Sequence, residues 1–386
     1  MGKSVQKITD KVSLIASKNT WVEGLAIQQL IKTSELPSMN LVAGMPDFHP
    51  GRGYPIGAAF HTLDKVYPAL VGNDIGCGMA LWQTSTKLAK LNLLKLERKL
   101  KHVEMPLDDA WLPIIARRKQ EKRIINSCFD NAFGTIGGGN HFAEFQAIEE
   151  VFNQQAIDEL GLDRKRLQLL VHSGSRGLGQ SILLEHVTKY SHGGLSTDSK
   201  DFGDYISKHD EAVRWAELNR ELIALRFIDA INASGTMSMD VNHNLVTAKK
   251  VANQNGWLHR KGATPSDQGY VVIPGSRGDY TYLVKPINAY TQSSNLFSLA
   301  HGAGRKWKRG ECQGRLSHKY KREDMINTAL GSRVVCGSKE LLYDEAPQAY
   351  KSSESVISDM LNAGLIELVA KLRPVLTFKT NGSCGG

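Results

Sequence analysis

Apolar residues recur at three and four positions along 211–232, where Trp215, Leu218, Leu222 and Leu225 fall on one stripe. That spacing predicts an amphipathic helix whose apolar face packs into a core. A shorter stripe of Leu93, Leu96 and Leu100 predicts a second helix within 88–100. Near the end of the chain Ile357, Leu361, Leu365, Leu368 and Leu372 predict a third, stopped by Pro374 and followed by a strand over 375–378 that ends at Lys379 and a glycine-rich tail. Continuous apolar runs at 167–171, ending in His172, and at 270–273 predict buried strands. The basic stretch 117–123 reads as a solvated helix face, and 41–60 as dense turn and strand with Asp47, His49 and Arg52 among glycines and prolines. Strands ending in glycine loops alternate irregularly with helices, which predicts an α+β (mixed α/β) fold with loops converging on one site. No linker or composition break divides residues 1–386, so one integrated domain is expected.

Composition narrows the class. A chain of 386 residues with 41% hydrophobic positions and 12 prolines is expected to be globular throughout. No apolar run is long enough for a bilayer, and the N-terminal residues lack the apolar core of a signal peptide. The opening Met-Gly-Lys-Ser fits a myristoylation pattern only loosely and is read as a chance match. Five cysteines, Cys77, Cys128, Cys312, Cys336 and Cys384, are odd in number and widely spaced, which argues against a disulfide framework and for a reducing, cytoplasmic location. A formal charge of +9 suggests an anionic partner such as a nucleic acid or nucleotide, without separating RNA from DNA.

The chemistry gathers in glycine-flanked turns. In 71–79, VGNDIGCGM, a carboxylate and a thiol stand three residues apart between glycines, so Asp74 and Cys77 can turn toward one point. Oxygen with sulfur suits Mn, Fe, Co or Zn better than Mg or Ca, and two ligands require others from elsewhere. In GTIGGGNHFAEF, His141 follows a second glycine cluster, and the spacing of Asn140 and Glu144 would put both on one side of a helical segment. His172 precedes SGSRGLG, and His243 stands between Asn242 and Asn244. The phrase GSRG occurs at 174–177 and 275–278, yet the flanks do not align, so the shared need is local anion contact rather than a repeat. His301, in LAHGAGRKWKR, has small neighbours that leave its imidazole approachable and is the best nucleophile candidate. Singly, each histidine reads more readily as structural; the six candidates together, Asp74, Cys77, His141, His172, His243 and His301, shift that balance toward a two-ion site for phosphoryl chemistry.

Taken together, MPDFHPGRGYPIG, NDIGCGM, GGGNHFAE, HSGSRGLG, the pair His243-Asn244, RKGATP, IPGS and HGAGR resemble, in order, the motifs of the RtcB family of RNA ligases. The C-terminal LRPVLTFK is similar to the family's lysine-bearing ending, and the resemblance covers most of the chain. HGAGRKWKR, where the main ligases end in Met-Ser-Arg, resembles the branch associated with release factor H, whose members are similar to RNA repair enzymes. Arg277 stands where the family commonly has methionine, and Thr281 where it often has serine.

The resemblance implies a compact α/β domain without a Rossmann or P-loop core, two Mn ions and GTP. One ion would be held by Asp74, Cys77 and His141, the second by Cys77, His172 and His243. His301 would be the guanylylated nucleophile. Asn140, His141, Phe142, Ala143, Glu144, His243, Asn244, Pro274, Gly275, Ser276, Arg277, Thr281, His301, Gly302, Ala303, Gly304 and Lys379 match nucleotide-binding positions. The implied substrate is RNA with a 3′-phosphate, or a 2′,3′-cyclic phosphate, and a 5′-hydroxyl, and a release-factor-like protein is an implied partner. Arg52, Arg176, Arg260, Lys261 and Arg305 are candidates for RNA phosphate contacts. The competing readings are a two-metal phosphoesterase that never forms a guanylate, which would need no spare histidine, and a non-catalytic RNA-binding protein, which would need no complete ligand set.

Overall fold

The computed structural model describes residues 4–18, 20–100, 102–287 and 293–379. Cys384 and the glycine-rich tail, like the first three residues, lie outside these. Two sheets carry the fold. The first has six strands in the order Val5–Lys7, Val12–Ile15, Met39–His49, Ile56–Thr62, Gln254–Lys261 and Asn244–Val251. The second runs Gly235–Asn242, Gly78–Lys87, Arg166–Ser173, Phe142–Val151, Ile366–Phe378, Thr281–Pro286 and Val271–Pro274, with Arg333–Val335 parallel beside Ile366–Phe378. The mixed α/β expectation therefore holds.

The two sheets pack through a shared core of Ile15, Ala43, Met45 and Ala59 against Val271, Ile273, Tyr282 and Val284, and the chain passes from one to the other across a single residue. Gly235–Asn242 edges the second sheet and Asn244–Val251 edges the first, and His243 is the residue between them. Neighbouring strands run antiparallel here, so Cys77 before one strand, His141 before another and His172 near the end of the third arrive at the same end of the sheet, where His172 pairs with Met79 and Phe142. Lys379, just past Ile366–Phe378, arrives there too.

The predicted central helix is longer than its apolar stripe. It spans Lys200–Ala230, starting where the Ser199 side chain accepts from the Phe202 amide at 3.2 Å. Its Ile223, Ala224, Phe227 and Ile228 pack with Leu169, Phe145 and Phe378 of the second sheet, while Trp215 stacks on Phe133 at 4.4 Å. No described helix is long and apolar enough to cross a membrane.

Three local expectations are corrected. The C-terminal helix is Ser353–Asn362 only: Gly364 takes a φ of 69°, the Leu365 amide reaches back to Met360 O, and Leu365 leads into the strand Ile366–Phe378. Leu368 and Leu372 are therefore strand residues, and Pro374 falls between the end of pairing with Thr281–Pro286 and the start of pairing with Arg333–Val335. A proline, lacking a donor, is tolerated at such an irregularity. Residues 142–151 form a strand, so Glu144 is placed by alternation and not by a helical turn shared with Asn140. Within the basic helix Leu112–Lys122, Lys119 is buried and paired with Asp130 rather than solvated.

Candidate active site

Four elements of the second sheet deliver the ligand candidates. The Cys77 thiol lies 3.3 Å from His141 Nε2 and 3.2 Å from His172 Nε2; His172 Nε2 is 3.4 Å from His243 Nε2, and His141 Nε2 is 2.7 Å from Asp74 Oδ2. Two triads result, Asp74-Cys77-His141 and Cys77-His172-His243, each with donor atoms within 4.8 Å of one another and with Cys77 common to both. His141 Nδ1 faces Ile136 O and His172 Nδ1 faces Asn140 O, both at 3.2 Å. Each ring therefore gives its Nδ1 proton to a carbonyl and turns its Nε2 atom inward, the outer bond that orients a metal-bound imidazole.

Electrostatics agree with that donor set. Burial, reinforced by neighbouring imidazoles, holds His172 and His243 well below the usual histidine range, so both are neutral bases. Burial and the adjacent Asp74 carboxylate push the Cys77 thiol up. Burial also works to raise Asp74, but His141, the Cys77 hydrogen bond and Arg176 outweigh it and hold the carboxyl below its ordinary value. A divalent ion would supply the positive charge that deprotonates the thiol, and three imidazoles, one thiolate and one carboxylate fit a borderline ion such as Mn, Fe, Co or Zn.

Glycine is required where these groups approach backbone. A Cβ on Gly174 would stand 2.1 Å from Asp74 Oδ1, and one on Gly304, whose φ is 72°, would stand 2.0 Å from Asp47 O.

His301 follows the short strand Ser298–Ala300, its ring centroid 4.9 Å from that of His243. Asp47, fully buried, places Oδ2 2.6 Å from His301 Nδ1, at an angle away from the ideal hydrogen bond, and the same oxygen accepts from the His301 amide at 3.1 Å. A carboxyl group against Nδ1 fixes the ring and leaves Nε2 outside that contact.

Both the triads and His301 line a cleft of about 1320 Å³. Of the predicted nucleotide positions Asn140, Phe142, Glu144, Asn244, Pro274, Gly275, Ser276, Arg277, Gly302, Ala303, Gly304 and Lys379 also line it. Ala143 and Thr281 do not. Ala143 is packed in the core beside Phe378, and Thr281 sits behind Glu144, its hydroxyl accepting at 2.8 Å from the Gln146 amide that also reaches Glu144 at 2.7 Å. Burial raises Glu144 to about 7 against the hydrogen bonds of Thr377 and Gln146. Burial lowers Lys379 to about 8, offset in part by Glu345; its ammonium donates to Gly139 O at 2.8 Å. Asn244 spends its side chain on backbone, donating to Asp74 O at 3.0 Å and accepting from the Gly262 amide at 2.7 Å.

Among the basic candidates, Arg52, Arg176 and Lys261 line the cleft, whereas Arg260 is 1% exposed and donates to Ser298 and Phe297. Its burial, in the strand Gln254–Lys261 between Ile56–Thr62 and Asn244–Val251, makes it a core residue, not a phosphate contact. Arg305 lines the cleft but gives its guanidinium to Glu345, Tyr350, Asp344 and Trp307.

Two positions that contact the site were not evident from the pattern. Asp47 lay in a turn region that decided nothing by itself. Arg220, inside the apolar stripe of the long helix, is fully buried and bonds Gly76 O at 2.6 Å, Ser173 O at 3.0 Å, Asn242 Oδ1 at 2.6 Å and Asp240 Oδ1 at 2.7 Å. It ties together the three segments that carry Cys77, His172 and His243. The available signal was an arginine at a position, between Leu218 and Leu222, where the stripe calls for core.

A mixed α/β fold that brings two candidate metal-binding triads and a carboxylate-backed histidine into one cleft has the layout of an enzyme active site. The particular family follows from comparison. The sequence matches the family described as tRNA-splicing ligase RtcB over residues 29–121 and 112–380, and the chain belongs to the RtcB family. It is 52% identical over 386 residues to the RNA-splicing ligase RtcB2 of Escherichia coli, covering 100% of both chains. It is 28% identical over 416 residues to the RNA-splicing ligase RtcB of Escherichia coli K12, covering 94% of this chain and 96% of that one. With the tRNA-splicing ligase RtcB of Archaeoglobus fulgidus it shares 26% over 448 residues, covering 91% and 90%.

Proposed function

We propose that this chain is a GTP- and Mn-dependent RNA ligase that joins RNA 3′-phosphate or 2′,3′-cyclic phosphate ends to 5′-hydroxyl ends through a guanylyl group carried on His301. The whole chain would act as one ligase domain in RNA repair in the cytoplasm, in functional association with a release-factor-like protein. The observation that carries the reading is the pairing of Asp47 with His301 beside the His243 ring. A hydrolase built on the triads alone has no use for a second, carboxylate-backed imidazole facing the same cleft.

His301 Nε2 attacks the α-phosphorus of GTP, the bond to pyrophosphate breaks, and Asp47 stabilises the positive charge that develops on the ring. An oxygen of the RNA 3′-phosphate then attacks the same phosphorus, breaking the N–P bond and leaving the RNA end as a diphosphate with guanosine. The 5′-hydroxyl oxygen attacks the 3′-phosphorus, loses its proton to solvent and expels GMP. A cyclic phosphate is first opened by water. Asp74, Cys77, His141, His172 and His243 would hold the two ions, which offset phosphate charge when bound. Glu144 accepts from guanine N1 and N2, and Lys379 donates to O6. A cleft of about 1320 Å³ exceeds what a nucleotide fills and supports a polymeric second substrate.

Incubation with α-labelled GTP and Mn tests the reading. Label is expected on the wild-type protein and not on His301→Ala. No label on metal-loaded wild type would remove the ligase mechanism and favour a two-metal phosphoesterase.

A further inference from the structure

Arg277 sits in the turn that joins Val271–Pro274 to Thr281–Pro286, closed by the Gly275 amide on Tyr280 O at 2.8 Å and the Asp279 amide on Ser276 O at 2.9 Å. The turn forms part of the cleft wall, and Arg277 in it is 8% exposed. Its Nε, Nη1 and Nη2 are shielded from solvent, and among the described residues none accepts a hydrogen bond from any of them. An unpaired buried guanidinium is costly to keep, and its five N–H groups cannot be silenced by losing a proton near neutral pH. Burial lowers it only to about 10, so the charge persists.

Nor does a carboxylate nearby have capacity to spare. Glu345, whose charge Arg277 feels, already holds Arg305 Nη1 at 3.2 Å and Arg309 Nε at 3.1 Å, accepts from the Tyr350 hydroxyl, and has the Lys379 ammonium 4.0 Å away. Four cations thus share one carboxylate at the end of the cleft occupied by Lys379. What this region lacks is an electron-rich partner with two adjacent acceptors.

We propose that Arg277 reads the O6/N7 edge of a guanine base bound in the cleft, making it a specificity-determining residue for the nucleotide. The inference rests on the reading of the cleft as a guanine-nucleotide site and adds a second edge to it. Glu144 takes the N1–H and N2–H side of the base, while a guanidinium fork matches O6 and N7 together. For that contact the fork, shielded in the wall, must turn into the cleft by rotation about its side-chain bonds when the base binds. Adenine presents an amino donor in place of O6, so the same fork meets a donor and rejects it.

Equilibrium binding to the Mn-loaded His301→Ala protein isolates recognition from transfer. Affinities are measured for GTP, 7-deaza-GTP, which lacks only the N7 acceptor, and ATP. GTP is expected to bind about 10-fold or more tightly than 7-deaza-GTP, the discrimination of a well-made bidentate base contact. In an added Arg277→Met substitution that ratio is expected to fall to near one, and the preference for GTP over ATP to narrow. Equal affinity of the Arg277-containing protein for GTP and 7-deaza-GTP overturns the proposal, and needs no variant at Arg277 to be folded. A clear N7 preference in binding together with no guanylylation of wild type would uphold Arg277 and sink the transfer mechanism instead, so the two failures are distinct.

Discussion

Asp47 Oδ2 lies 2.6 Å from His301 Nδ1, although the two residues are 254 positions apart in the chain. The contact joins the strand Met39–His49 of the first sheet to the turn after Ser298–Ala300, and it makes the first sheet a partner in chemistry otherwise built on the second. An imidazole backed this way keeps one tautomer and can carry positive charge when Nε2 bonds to phosphorus. Asp47→Asn is expected to slow guanylylation by about 100-fold or more, the scale of losing a carboxylate behind a reacting histidine. GTP affinity should change little. Single-turnover labelling alongside equilibrium GTP binding checks both parts, and an equal loss of binding would mean that Asp47 merely shapes the pocket.

The pH dependence of nucleotide binding follows from Glu144 and Lys379. Glu144, raised to about 7 by burial, must be ionised to accept from guanine N1 and N2, so affinity grows as pH rises through that value. Lys379, lowered to about 8 by burial, must be charged to donate to O6, so affinity declines as pH rises beyond it. The expected profile is a narrow bell between the two. Glu144→Gln should flatten the acid limb and Lys379→Met the alkaline limb, as read by GTP binding across that range. A profile unchanged by either substitution would refute the assignment.

Sharing of Cys77 makes metal content diagnostic. Asp74→Ala removes a donor from one triad and leaves Cys77-His172-His243 whole, whereas Cys77→Ser changes both. The first is expected to lower Mn content from two ions per chain toward one, the second to lower it below that. Atomic emission on dialysed protein measures this, and the same loss from both variants would argue against a bridging thiolate.

Much of the site was legible because its chemistry sits in short glycine-flanked phrases. Asp74, Cys77, His141, His172, His243 and His301 all reach one cleft. What patterning could not supply was burial. Arg260 and Arg305 look like any basic residues in a glycine-rich loop, yet one is enclosed in the first sheet and the other is consumed by Glu345 and its neighbours. The C-terminal leucines kept a helical period past Leu361, and only the left-handed Gly364 shows where the chain turns into a strand. Spacing of three and four is shared by a helix and by a strand irregular in its pairing, and β-bulges near Leu372 and Pro374 blur the period of two.

Arg220 provides the sharpest test of how the long helix supports the site. Its guanidinium is fully buried, pairs with Asp240, and holds the carbonyls of Gly76 and Ser173, residues adjacent to Cys77 and His172. Replacement by methionine would leave Asp240 and two carbonyls without their donor, a change that costs about 3–5 kcal/mol when a buried pair is broken from one side. Lysine keeps the charge but not the fork, so it can serve Asp240 or the carbonyls and not all of them. Arg220→Met is therefore expected to lower the thermal midpoint by several degrees, and Arg220→Lys by less. Both should also weaken Mn binding, because the loops bearing Cys77 and His243 lose the contact that sets their separation. Calorimetric unfolding in the presence of chelator measures stability apart from metal, and Mn titration of the folded protein measures the site. Normal Mn affinity in a destabilised Arg220→Lys protein would confine Arg220 to the core and free the metal loops from dependence on the helix.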